Sequence, residues 1–452
     1  MKVGVHVFRK DLRLDDNLAL LELSKVVDKI ILLFILDPYQ ISDKENEFHR
    51  SHPAIQFMKE SLLELNILSG NKLIILNELP KKAITYVINS TKIDYLSFNS
   101  DFTLYSIERD NQIKKICKDN DIIVIENDHD QTLINMENLI KKDKSPYTIF
   151  GAFYKNSLKH SVKKPIKFND FEKLYKPSTI KSHKLTINDP RELAQQGGRI
   201  YCLDILKPAL AKKFENRDNL KGSMNISAYL NFGCVSIREV YQKYKNNEEL
   251  VKQLSWRGYY LCITRYNPDG NKYKFLDDRY NKLNWRKISD KGAKEEWDAF
   301  INCKTGYLLI DASMKELLTT GFMNNRARLL WATFVIKYLQ FNPFDKIYGA
   351  HSLFSRLLID CSFSQNKQNF EWIISTLDIG GRRFSKRGSN PLSGRVIKID
   401  NSVIKKYNGF DYIKKWLPEL KDLTDKEITK YPTIFDANDR YNIWCDLFKN
   451  IK

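Results

Sequence analysis

The sequence predicts an α/β N-terminal domain built on a doubly wound parallel sheet, followed by a large, all-helical domain. Two observations predict this. Short β-branched runs recur through the first 128 residues with amphipathic stretches between them, and after Arg191 helical periodicity takes over almost without strand-like alternation. The runs are VGVHVF from Val3, IILLFIL from Ile30, KLIIL from Lys72, YLSF from Tyr95 and IIVIE from Ile122. They are too continuously apolar for strands with a wet face, so helices are expected to cover both sides of the sheet. AIQFMKESLLELNIL, from Ala54, is one such covering segment. Residues 1–128 therefore form the first domain. Residues 129–190, rich in lysine and punctuated by Pro and Ser, read as an interdomain connector crossing the surface, with enough Phe and Tyr to hold some order. Residues 191–452 form the second domain, where DASMKELLTTGF and RARLLWATFVIKYLQF show the helical period.

Composition narrows the function. Lys and Arg number 74 against 55 Asp and Glu, a formal charge of +19 that favours a polyanion such as nucleic acid, although lysine-rich solvated faces give the same total. No apolar run is long enough to span a membrane and the N-terminus lacks a secretory pattern, so a soluble intracellular protein is expected. The seven cysteines are scattered and never spaced as CxxC, which suggests reduced thiols and no metal site. Neither GxGxxG nor GxxxxGK[ST] occurs, so any nucleotide must be held by other means.

Four segments of the helical domain place polar and aromatic residues within apolar helices, which is costly unless they meet a ligand or one another. In KGSMNISAYL, Ser223, Asn225 and Ser227 offer donors to a phosphate, or simply cap a helix. In QLSWRGYYLCITRY, Trp256 stands among Gln253, Arg257 and Arg265, suited to bases and phosphates or to a core face. Asn325 and Arg328 are three apart on one helical face. Asp360 closes an apolar stretch and needs a cation, for which Arg328 is the natural partner; Asn366 and Trp372 follow it.

Taken in order, VFRKDLRLDDNLAL, SWRGYY, KTGYLLIDASMKELLTTGFMNNRAR, LLIDCSFSQNKQNFEW and IKKWLPEL resemble the DNA photolyase/cryptochrome family over essentially the whole chain, most closely its cyclobutane pyrimidine dimer photolyases. The resemblance implies an antenna-type α/β domain and a helical domain that binds FAD. It implies that Phe214 and the run Ser223, Met224, Asn225, Ile226 and Ser227 hold the ribityl and diphosphate groups. It also implies that Gln253, Arg257, Arg328, Asp360 and Ser362 contact the cofactor and that Asn366 faces flavin N5. Trp256 and Trp372 would sandwich a flipped-out dimer, Gln253 and Asn325 would hydrogen-bond it, and Arg217 and Arg326 would touch flanking DNA. The implied partner is ultraviolet-damaged DNA, met by a monomer, and the implied reaction is repair of cyclobutane dimers by blue-light-driven electron transfer from reduced FAD, with a cryptochrome-type flavin photoreceptor as the alternative.

Departures from the pattern carry information. Gln253 stands where enzymes for cyclobutane dimers usually have Glu, whereas the histidines required by (6-4) chemistry would fall at Asn325 and Leu329. Ser362 replaces a usual Asp. Phe370 replaces the first tryptophan of the electron relay, whose next position falls near Ile347 or Tyr348, so photoreduction is expected to be slow or to use another route, such as Trp331 or a tyrosine. An antenna chromophore, deazaflavin or folate, is also implied; Ser106 lacks the carboxylate that folate-binding relatives often carry there.

Overall fold

The computed structural model describes the chain except residues 42–50, 188–189, 208–219, 221, 268, 378–396 and 448–452. Five strands appear where the apolar runs lie: β1 (Val3–Phe8), β2 (Lys29–Leu36), β3 (Leu73–Asn77), β4 (Tyr95–Asn99) and β5 (Ile123–Asn127). All pairings are parallel and the order is β3-β2-β1-β4-β5. Every residue of β1 is buried, which explains its lack of alternation. Four helices flank the strands: α1 (Leu18–Ser24), α2 (His52–Leu68), α3 (Pro80–Ser90) and α4 (Leu104–Asp119). Local chemistry starts them, as where the Ser51 and Thr103 hydroxyls accept the N–H groups of Ala54 and Ser106. Strand order reverses between β1 and β4, and the loops leaving these strands are tied by Lys10–Asp101 at 2.7 Å.

Despite burial, the Lys10 ammonium and the Phe102 N–H hold the Asp101 carboxyl down to about 2. A depressed folded value means the contribution is present above the unfolded carboxylate range and fades as pH falls. Stability is therefore expected to drop by about 2–3 kcal/mol between roughly pH 5 and pH 2 through this group. Urea unfolding of Asp101→Asn beside the parent, at both ends of that window, measures it: the variant should lose less on acidification.

The segment after β5 does more than cross the surface. Met136, Leu139, Phe153, Phe168, Leu174 and Ile180 are buried along it. Its helix α5 (Phe150–Ser157) packs on the helical domain, while the Tyr175 and His183 N–H groups donate to Ile30 and Ile75 of the sheet. Among described residues no strand follows Asn127.

The helical part includes α6 (Ser227–Phe232), α7 (Ile237–Tyr244), α8 (Glu248–Tyr266), α9 (Ala293–Ile301), α10 (Leu308–Thr320), α11 (Asn325–Thr333), α12 (Ala350–Leu357) and α13 (Phe363–Ile373). Its main core surrounds Trp331, Phe334 and Phe354; a second core is shared with the α/β part, where Phe57 packs against Tyr229 and Phe232. A buried charge cluster joins the same parts. Arg13 Nη2 reaches both Asp130 oxygens at 2.7 and 2.8 Å, and Arg238 reaches Asp16 at 2.8 Å and Asp130 at 3.2 Å. No helix among the described residues is long and apolar enough to cross a membrane.

Candidate functional site

Helices α6, α8, α11, α12 and α13 enclose a cavity of about 500 Å³ that opens to the surface. Its walls contain three arginines, Arg257, Arg326 and Arg328, against one carboxylate, Asp360, so its electrostatics favour anionic groups.

At the head of α11 the Asn324 side chain accepts the Arg326 N–H and donates to the Gly222 carbonyl, tying this turn to the 222–227 segment. One turn into the helix, Arg328 meets Asp360 at 2.9 Å and donates to the Met323 carbonyl at 2.8 Å. The pairing anticipated from the sequence is thus formed. Asp360 is buried, and its second oxygen has no hydrogen-bond partner among the described residues. The same holds for Asn231 Oδ1 on the cavity wall and for Asn225 Oδ1 on the adjoining segment. Asn225 sits at φ 52°, a left-handed conformation that asparagine tolerates better than most residues. Three buried acceptors awaiting donors around an arginine-rich cavity fit a ligand that combines phosphates with a polar ring.

Arg257 donates to Gln131 and to the Leu230 carbonyl, and burial pulls its guanidinium down to about 10. A bound anion would offset that cost. Asn366 is buried and donates from Nδ2 to Cys361 Sγ at 3.1 Å. Ser362 lines the same wall.

Trp256 and Trp372 both line the cavity and are half-buried, with Gln253 beside them and Asn325 exposed at the rim. One face of Trp256 is covered: Phe150 of α5 stacks on it at 3.7 Å and 8°, and Tyr154 stacks on Phe150 in turn at 5.7 Å. The connector thus fixes a cavity side chain.

Of the expected site residues, the cavity gathers Ser227, Gln253, Trp256, Arg257, Asn325, Arg326, Arg328, Asp360, Ser362, Asn366 and Trp372. Ser223 lies just outside, its hydroxyl accepting the Asn225 N–H, while the Met224 and Ile226 side chains enter the shared core, leaving only their backbone for a ligand. Phe214 and Arg217 lie outside the described residues. Sequence reasoning did not single out Asn231, Gln365 or Asn369, which also line the cavity. The signal for two of them was present: Gln365 and Asn369 neighbour Asn366 on α13, and the Asn369 side chain accepts from the Tyr260 hydroxyl.

A second cavity, about 200 Å³, lies between the loops after β1 and β4 and the helical part; Lys10, Asp101, Ser106, Tyr273 and His351 are among its walls. Ser106 there accepts from the Thr103 hydroxyl at 2.8 Å.

Comparisons with known proteins agree with one another. A family model described as the FAD binding domain of DNA photolyase matches residues 250–447, and one described as DNA photolyase matches residues 4–170. The deoxyribodipyrimidine photo-lyase of a Synechococcus species is 24% identical over 98% of this chain and 96% of its own. The cryptochrome DASH of a Synechocystis species is 27% identical, over 96% and 91%. Among solved structures, an archaeal photolyase from Sulfolobus tokodaii with two FAD molecules superposes with a TM-score of 0.83 at 28% identity, covering 99% of this chain and all of that one.

Proposed function

Because this chain belongs to the DNA photolyase/cryptochrome family, we propose that it is a light-driven lyase that repairs cyclobutane pyrimidine dimers in ultraviolet-damaged DNA. FAD is the cofactor of the matched domain. When bound, reduced and illuminated, it supplies the electron that splits the dimer. The observation that carries the proposal is a single open cavity holding the Arg328–Asp360 pair and Asn366 together with Trp256, Trp372, Gln253 and Asn325.

In this reading Ser227, Arg257, Arg328, Asp360, Ser362 and Asn366 hold the cofactor, aided by the backbone of residues 223–226. Arg328 is paired with Asp360, and the Asn366 amide offers a polar contact that needs no proton exchange. Trp256 and Trp372 stack on the extruded bases and exclude water, Gln253 and Asn325 hydrogen-bond them, and Arg326 meets phosphates at the rim. Among the described residues no histidine lines the cavity, which favours cyclobutane dimers over (6-4) lesions. The second cavity is the place for an antenna chromophore.

Repair is tested by illuminating the purified protein, with a reductant, on ultraviolet-irradiated oligothymidine. Restored thymines are expected. Intact dimers with bound FAD would point to the photoreceptor branch of the family instead.

Two variants probe the assignments. Phe150→Ala frees the covered face of Trp256 and is expected to weaken binding of damaged DNA by about 0.5–1.5 kcal/mol, the worth of one aromatic pair. Titrations with damaged and intact duplexes check that only the former is affected. Asn366→Asp places a carboxylate beside the flavin and is expected to impair accumulation of its reduced form, read from absorption spectra during illumination.

A further inference from the structure

Two amides on the cavity wall spend their N–H groups on one residue. Asn366 donates from Nδ2 to Cys361 Sγ at 3.1 Å, and Asn231 donates from Nδ2 to the Cys361 carbonyl at 3.2 Å. Both amide oxygens are left over. Asn231 Oδ1 is buried without a partner, and Asn366 Oδ1 accepts no hydrogen bond among the described residues. We propose that Cys361 is a positioning residue: it turns the oxygen of the Asn366 amide, and not the nitrogen, toward the cofactor ring, so that the cavity favours the reduced flavin. The inference rests on the FAD reading of the cavity and deepens it.

Donor and acceptor chemistry fixes the sense of the contact. An amide nitrogen only donates, so Cys361 Sγ is the acceptor. Burial pushes the Cys361 thiol up, so the sulfur keeps its proton at neutral pH and must direct it elsewhere. The Ser355 hydroxyl on α12, 3.6 Å away, is the oxygen in reach. The chain therefore runs from the Asn366 N–H to Cys361 Sγ and from the Cys361 S–H to Ser355 Oγ, which leaves Asn366 Oδ1 for the cavity. Cys361 is itself held in place. Asn231 of α6 grips its carbonyl, and Asp360, the residue before it, is paired with Arg328 at 2.9 Å.

The redox consequence follows from the two faces of an amide. N5 of an oxidised flavin is a bare acceptor, which an amide oxygen repels. After reduction N5 carries a hydrogen, which the same oxygen accepts. An amide free to flip would offer its N–H to the first form and its oxygen to the second, and would separate them little. Pinning the nitrogen on Cys361 removes the first option, so the difference in affinity for the two forms is kept.

The experiment compares the parent with Cys361→Ala, Cys361→Ser and Ser355→Ala, each loaded with FAD and checked for FAD content and thermal melting. The midpoint potential of the bound flavin is measured by equilibration with a reference dye. Cys361→Ala is expected to reduce the preference for the reduced form about threefold to tenfold, the worth of one hydrogen bond, which lowers the potential by about 15–30 mV for two electrons. Cys361→Ser, whose hydroxyl accepts and donates in the same places, should restore most of it. Ser355→Ala should show a smaller loss of the same sign. In the parent, the infrared difference spectrum on reduction should contain a shifting S–H stretch that is missing from Cys361→Ala. If Cys361 only fills space, Cys361→Ala will melt lower yet keep the parental potential and difference spectrum, which would overturn the proposal and leave the cofactor assignment intact. A parent that takes up no FAD would overturn the cavity reading with it. Should Cys361→Ala fail to fold, the parent's S–H band and the potential of Ser355→Ala decide the question.

Discussion

Replacing Asp130 with alanine is expected to lower the free energy of unfolding by about 3–5 kcal/mol, the range for stranding one member of a buried ion pair. Asp130 is 4% exposed, and it receives Arg13 from the α/β part and Arg238 from the helical part. Both arginines are almost fully buried, so removing the shared carboxylate leaves two cations without their common partner. The effect should reach the cavity. Gln131, next in the chain, accepts from Arg257, so a shifted loop loosens a cavity cation. Urea unfolding gives the stability change and FAD content gives the functional one. Asp130→Asn, which keeps an acceptor but not the charge, should fall between. A loss under about 1 kcal/mol for the alanine variant is what an exposed pair would give and would contradict the account.

The second large effect is expected inside α13. Lys367 and Glu371 form an ion pair at 2.9 Å in which both side chains are fully buried. Burial pushes the Lys367 ammonium down and the Glu371 carboxyl up, and their mutual attraction opposes both shifts. Glu371 also accepts the Leu276 N–H and the Thr376 hydroxyl, so it anchors the helix to two neighbouring segments. Lys367→Ala should cost about 3–5 kcal/mol, whereas the double change Lys367→Met/Glu371→Leu should recover most of it, since a well-packed apolar pair often matches a buried ionic one. A double-mutant cycle on chemical unfolding isolates the coupling. The pair lies between Asn366 and Trp372 on the same helix. If it sets the helix's seating, the single variants should also bind FAD and damaged DNA more weakly, and the double variant less so.

The Lys367–Glu371 pair also shows where sequence reading stops. Spaced i,i+4, it looks like an ordinary exposed helix pair, and nothing local says that it faces inward. Arg328 and Asp360 were legible because a carboxylate closing an apolar stretch demands a cation and one stood at the head of a nearby apolar helix. Met224 and Ile226 were expected around the cofactor, but the 222–227 segment turns their side chains into the shared core and brings Ser227 to the cavity wall. Phe150 carried no sign of its partner. It belongs to the connector, and only the packing of α5 on α8 brings it onto Trp256.

What the sequence determined by itself was the element content: five parallel strands, a helical second part, and most of the side chains that line the cavity. These follow from spacing, composition and caps within a few residues, and from motifs that stand in order along the chain. The tertiary structure decided which of those side chains meet. The arginine–aspartate lock between the two parts and the covered face of Trp256 join residues far apart in the chain. Their contacts depend on how helices settle against one another, and packing energy summed over many weak contacts leaves no local mark.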